Sequence, residues 1–172
     1  AATISTNVSA GFDVGDTITA MRLGTSPSHA IRFNYDSSRS WDQAATGADY
    51  FGLAGLSNFH VMGGGDIMTF CIEMNEGFLD DPIAYDVIDI ADVPEEAPPG
   101  PMSDVAQTLI NDLYARWYGT LLTQLETQGN WDVAQNYAAA FQLAVWEITH
   151  ENLSDDATTA VSELSIEIGR AH

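Results

Sequence analysis

The 172-residue chain predicts an α+β protein, with a mostly antiparallel β-sandwich or barrel lobe and a helical hairpin docked on it. Three observations carry this expectation. Residues 1–91 read as short alternating or β-branched segments punctuated by glycine and proline. The stretch D-V-P-E-E-A-P-P-G-P at 92–101 can sustain neither a helix nor a ladder. Beyond it, residues 103–152 hold two stretches of helical periodicity. The division is therefore a β lobe at about 1–91, a proline-rich linker at 92–102 and a helical lobe at 103–152, in a single domain of 1–172 long enough to bury a sizeable core.

Segments 3–8, 16–23 and 30–35 alternate or are rich in β-branched and aromatic residues, with Gly11, Gly15, Gly24 and Pro27 as the breaks between them. Residues 37–49 are small and polar, a surface loop that Trp41 tacks to the core. Segments 50–62 and 66–74 flank Gly63-Gly64-Gly65, the pattern of a hairpin. Side chains alternate along a strand, so Met68, Phe70, Ile72 and Met74 share one face, assigned to the core, and Thr69, Cys71 and Glu73 share the other. Another alternating strand is expected at 83–91.

Ser103 then caps a helix with Asp104 in its first turn. Val105, Leu109, Leu113, Trp117 and Leu121 recur at four-residue spacing as its apolar stripe, widened by Ala106, Ile110 and Tyr114. Gln128-Gly129-Asn130 ends that helix near Gly129 and caps a second one running from 131 to about 150. So short a connection makes the two helices antiparallel neighbours. In the tail, 155–163 suits a short helix and 164–170 a strand that rejoins the sheet.

Charge narrows the function. Twenty-five acidic residues against five basic ones give a formal net charge of −20, a field that repels phosphate backbones and anionic membrane surfaces. Nucleic acid is therefore not an expected partner. Acidity of this kind also suits solubility in a salty habitat. All five basic residues are arginines, and there is no lysine. Two readings stand: a salt-adapted composition, or a protein whose own acyl group would react with primary amines. No apolar run approaches the about 18 residues needed to span a bilayer. The opening A-A-T-I-S reads as a mature end left by processing. Acidic pairs such as Asp80-Asp81 and Asp155-Asp156 lack the spacing of an EF-hand loop and read as solvated charge, so no metal or other cofactor is expected.

The second helix contains Y-A-A-A-F-Q-L-A-V-W-E-I at 137–148, where Gln142 stands alone among apolar residues until Glu147. A helix apolar on nearly every face is buried. A buried amide without partners costs about 1–3 kcal/mol, so Gln142 needs a partner. Ala138 and Ala139, one turn before it, leave room; Val145 and Trp146, one turn after, wall it in. The only cysteine, Cys71, is the expected partner. A lone cysteine excludes an internal disulfide and directs attention to its reactivity.

Two motifs thus stand out: Phe70-Cys71-Ile72 on a strand and Phe141-Gln142-Leu143-Ala144-Val145-Trp146 on a buried helix. The pair resembles the thioester domains of bacterial surface adhesins. Their strand motif is an aromatic residue or leucine, then Cys, then an apolar residue; their helix motif is Thr-Gln, any residue, Ala, an apolar residue, then Trp. Cys71, Gln142, Ala144, Val145 and Trp146 are in register, and Phe141 departs, standing where commoner members carry threonine. The resemblance implies a Cys71–Gln142 thioester at the junction of the two lobes, in an extracellular or bacterial cell-surface protein. It further implies a partner bearing an amine, such as a lysine side chain, captured through an isopeptide link. The chain would be a monomeric part of a larger surface protein and a single-use covalent binder without turnover.

Elementary chemistry makes such a bond feasible. A thiolate is a good nucleophile and an amide a poor electrophile, but holding the two about 3–3.5 Å apart contributes roughly 7–11 kcal/mol through effective molarity. Closing the loop between positions 71 and 142 would stabilise the fold by at most about 4 kcal/mol. Phe70, Phe141 and Trp146 are the expected walls against water. Two alternatives remain open: a passive, non-covalent surface module, and a cysteine hydrolase using Cys71 with His60 as base across the hairpin. His150, eight residues beyond Gln142 and so about 12 Å along the axis, reads as a helix-end cation favoured by the dipole.

Overall fold

The computed structural model describes residues 11–34, 49–72, 80–93, 101–127 and 131–150. Alternation in the first half produces four strands: β1 (Thr17–Asn34), β2 (Asp49–Val61), β3 (Asp66–Thr69) and β4 (Ile83–Asp86). All pair antiparallel in the order β3-β2-β1-β4, and the sheet curls into a half-barrel. A short 3₁₀ turn (Ile90–Asp92) follows, with the Ala91 amide capped by the Asp89 carboxylate. The helical half comprises α1 (Asp104–Leu113), a π-helical turn (Tyr114–Tyr118), α2 (Gly119–Glu126) and α3 (Trp131–His150). The α+β expectation holds. The strand expected at 3–8, the Trp41 loop, the Gly129 and Asn130 caps and the elements expected at 155–163 and 164–170 lie outside the described residues.

One continuous strand replaces the two expected at 16–23 and 30–35. Gly24 and Pro27 do not end β1; they sit in register shifts between Arg22 and Gly24 and between Thr25 and Ser28. Gly24 has φ +133°, open to glycine and rarely to other residues, and proline has no N–H to give the ladder, so both fit only where pairing is already interrupted. The second irregularity is braced by Ser28 Oγ donating to Thr25 O and by Asn58 Nδ2 donating to Ser26 O. It presses against β2 at Gly55, where a Cβ would run into Pro27 O and the Ser28 Cα and Cβ.

The 66–74 strand stops early, at Thr69, and its inward face changes there. Within β3, Ile67 packs toward the sheet's own core and Thr69 is buried, its hydroxyl donating to Ser57 O, while Met68 is exposed. Beyond the ladder Phe70 and Ile72 become the buried pair and Cys71 is half-buried. Met68 therefore does not share the core face with Phe70. Likewise the 83–91 strand is shorter than its alternation suggests, since β4 ends at Asp86 and the chain tightens into the 3₁₀ turn.

Ser103 caps α1 as expected, accepting from the Ala106 amide. The long apolar stripe, however, is interrupted. The π-helical turn inserts an extra residue into the helical phase, so Tyr118 is buried and Trp117 is turned out, 53% exposed. The phase recovers in α2, where Leu121 is again buried. α3 lies across β1 and β2 on one side and contacts α1 and α2 on the other. The main core joins Leu56, Phe70 and Ile72 to Ile110, Leu121, Phe141 and Val145, and a smaller one under the sheet holds Ile18, Phe59 and Tyr85.

Gly55→Ala forces the β1 irregularity off β2 and is expected to lower unfolding free energy by about 1–3 kcal/mol in urea titration. Gly64→Ala in the hairpin tip, where the new carbon meets Val61 at 3.5 Å, changes it by less than about 0.5 kcal/mol.

Candidate functional site

Where β3 gives out at Thr69, the main chain of residues 70–72 runs on without a ladder, and its polar groups need other partners. α3 supplies them from its side chains. Gln142 Nε2 donates to Cys71 O at 2.7 Å, and Gln142 Oε1 accepts from Cys71 N–H at 2.9 Å. His150 Nε2 donates to Ile72 O at 2.7 Å. An N–H must meet an oxygen and a carbonyl must meet a donor, so the Cys71 main chain itself fixes which end of the amide is nitrogen. Gln142, 1% exposed, thereby has both ends of its amide satisfied by one residue. Positions 71 and 142 thus meet in a two-point hydrogen-bonded clasp between the Gln142 amide and the Cys71 main chain.

Packing holds the helix in place for this contact. At its N-terminal half, Gln135 Nε2 donates to Ser28 O at 2.9 Å and Asn136 Oδ1 bonds the His29 ring at 2.9 Å, tying α3 to the irregular part of β1. Beside the clasp, the Phe70 and Phe141 rings stack at 4.5 Å between centroids, 20° from parallel. Tyr114 meets Phe141 edge-on at 5.0 Å, and Tyr118 does so at 6.1 Å. Such pairs add about 0.5–1.5 kcal/mol each beyond their burial. Phe141, the departure from the adhesin motif, thus has a packing role: it couples the cysteine-bearing segment to the π-helical turn. Of the other expected pocket residues, Ile72, Ala138 and Val145 are buried, while Ala144 and Trp146 are half-buried.

The histidines do not sit as the sequence suggests. His60 pairs across the hairpin with Asp66, Nδ1 to Oδ1 at 2.7 Å, in the register that sets His60 opposite Asp66 and Ser57 opposite Thr69. The ring is thus engaged at the first residue of β3, and Cys71 lies beyond the last. His150 is not a helix-end cation in water but is 6% exposed. Burial lowers its pKa below the ordinary 6.5, opposed in part by the bond to Ile72 O. Distance along the helix axis sets it apart from Gln142, yet the two side chains converge on adjacent residues of a second chain segment.

The clasp is built from neutral groups: an amide, peptide units and an imidazole that burial keeps uncharged. The Gln142 amide is thus held at the Cys71 main chain through both its Nε2 and its Oε1. The Cys71 N–H also stands where negative charge would develop on Oε1 during attack at that carbon. No group of three or more His, Cys, Asp or Glu side chains is placed to hold a metal among the described residues, and no helix there is long and apolar enough to cross a membrane. No protein-family model, curated protein or solved structure matches the chain.

Gln142→Leu keeps the volume and removes both bonds, leaving the Cys71 N–H and C=O to whatever water can reach them. A loss of about 1–3 kcal/mol in unfolding free energy is expected by urea titration. The His150 pKa gives a pH dependence with a definite sign. As pH falls below 6.5, the unfolded chain takes up this proton before the folded one, so stability is full above that value and declines as pH drops toward the lower folded pKa. Melting curves across that window should fall more steeply with acidification for the wild type than for His150→Gln.

Proposed function

We propose that the chain is a covalent adhesion domain, in which Cys71 and Gln142 form an internal thioester that acylates an amine on a partner. The observation that carries the reading is the two-point contact of the Gln142 amide with the Cys71 main chain. The Cys71 sulfur adds to the amide carbon, the carbon–nitrogen bond breaks, and the thiol proton leaves with the nitrogen as ammonia. A deprotonated lysine amine of the partner then adds to the same carbon. The carbon–sulfur bond breaks, the amine's proton goes to the sulfur, and an isopeptide link remains. Each chain reacts once.

Several features of the residues support this reading. An unactivated amide reacts only when it is well positioned, and proximity can lower its barrier more than any other effect at hand. The Cys71 N–H polarises the Gln142 carbonyl in the same contact. Phe70 and Phe141 stack beside the clasp and limit water. A net charge of −20 draws cationic, lysine-bearing surfaces, and the chain offers no lysine of its own to intercept the acyl group. On this reading the chain belongs to an extracellular or bacterial cell-surface protein. The hydrolase alternative would need a base at Cys71, and His60 is held by Asp66 instead.

Intact mass of freshly purified protein tests the proposal. The expected mass is short of the sequence by one ammonia, and methylamine converts it to a single adduct. Cys71→Ala and Gln142→Ala each abolish both the deficit and the adduct. A full sequence mass with no adduct, in protein never exposed to amines or alkali, would leave a passive surface module.

A further inference from the structure

We propose that His150 is a positioning residue for thioester closure, holding the Cys71–Ile72 segment against α3 while the Gln142 amide is consumed. The inference rests on the thioester reading above. Among the described residues, three hydrogen bonds made by α3 side chains join the open form across this junction: Cys71 N–H to Gln142 Oε1 at 2.9 Å, Gln142 Nε2 to Cys71 O at 2.7 Å, and His150 Nε2 to Ile72 O at 2.7 Å. Closure removes one of them by its own chemistry. When nitrogen departs as ammonia, Cys71 O loses its donor on the helix, and the segment keeps the Cys71 N–H contact and the His150 contact.

Of the bonds on the carbonyl side of Cys71 from Gln142 to Cys71 O and from His150 to Ile72 O, the His150 bond is the same before and after reaction. Its location fits the task. It is two helical turns from Gln142 and buried, so the imidazole does not swing freely into water. With Nε2 committed to a carbonyl, it carries its proton there in the neutral form. The pair grips adjacent residues from separate points along one rigid helix, which limits sliding of the strand end along α3. The Phe70–Phe141 stack restrains the same segment from the N-terminal side of Cys71.

Closure kinetics separate positioning from ordinary packing. Cell-free synthesis stopped after a short pulse starts every chain as a Cys71 thiol and a Gln142 amide, and intact mass against time then gives the rate of ammonia loss. His150→Leu, which fills the site without a donor, is expected to close about tenfold more slowly, the equivalent of one lost hydrogen bond. His150→Gln places an N–H at nearly the reach of Nε2 and should return the rate toward wild type. Ile148→Val, in the same core, lowers the melting temperature but leaves all three bonds, and should close at the wild-type rate. Closure of His150→Leu at the wild-type rate, failure of His150→Gln to recover it, or equal slowing by Ile148→Val would each overturn the assignment. A wild-type chain that never loses ammonia would overturn the thioester reading and this one together.

Discussion

A strand that leaves its ladder while the chain still runs inward constrains everything around it in this fold. β3 leaves the ladder at Thr69, yet residues 70–72 continue inward to bury Phe70 and Ile72. Apolar burial demands that the segment go in, and its peptide groups cannot go in unpaired. A helix has no main-chain donors or acceptors to spare along its length, so side chains from α3 complete the bonding. Gln142 and His150 do this, and in doing so they join the sheet to the helices through polar contacts of fixed geometry rather than through apolar contact alone. Apolar packing tolerates small slides; a two-point amide contact does not.

Other parts of the molecule serve that junction. Gly55 lets the irregular stretch of β1 approach β2 closely, and from that stretch Ser28 O and His29 hold the first half of α3. The π-helical turn aims Tyr114 and Tyr118 at Phe141, which stacks on Phe70. Restraint thus reaches the cysteine-bearing segment from both flanks, and it comes from elements far apart in the chain. The proposed chemistry asks for this kind of rigidity, because an amide is attacked only where the nucleophile is held in place.

Much of this is legible from residue order, and the failures have physical causes. The α+β division, the Gly63–Gly65 hairpin, the Ser103 cap and the span of α3 follow from local rules of turn, cap and period, and they hold. Gln142 can be singled out because one amide in an apolar helix is a local anomaly that needs a non-local answer, and Cys71 is its expected partner. Tyr118 and Trp117 exchange places because a fixed helical period cannot foresee an inserted π turn. Gly24 and Pro27 read as strand ends because their local preferences are the same in a turn and in a bulge; which one occurs depends on β2 alongside. Met68 is misplaced because alternation holds only while the ladder lasts. His150 escapes for the reason that makes Gln142 visible: at the end of a helix a histidine is ordinary, and only the arriving strand makes it otherwise.

The clasp at Cys71 also discriminates between chemical states of the Gln142 side chain. A primary amide has two hydrogens, and only the one on the same side as its oxygen can reach Cys71 O while the oxygen takes Cys71 N–H. Hydrolysis to a carboxylate would set oxygen against oxygen at that point. Attachment of an alkyl group in the ordinary trans arrangement would put carbon where the hydrogen had been, and the cis arrangement that avoids this costs about 2.5–4 kcal/mol. Neither product refits the seat from which it came. On the proposed thioester chemistry, a spent side chain would thereby be kept out of the geometry that activates a fresh one, and the junction would work as a one-way gate whose state is recorded in the shape of a single amide.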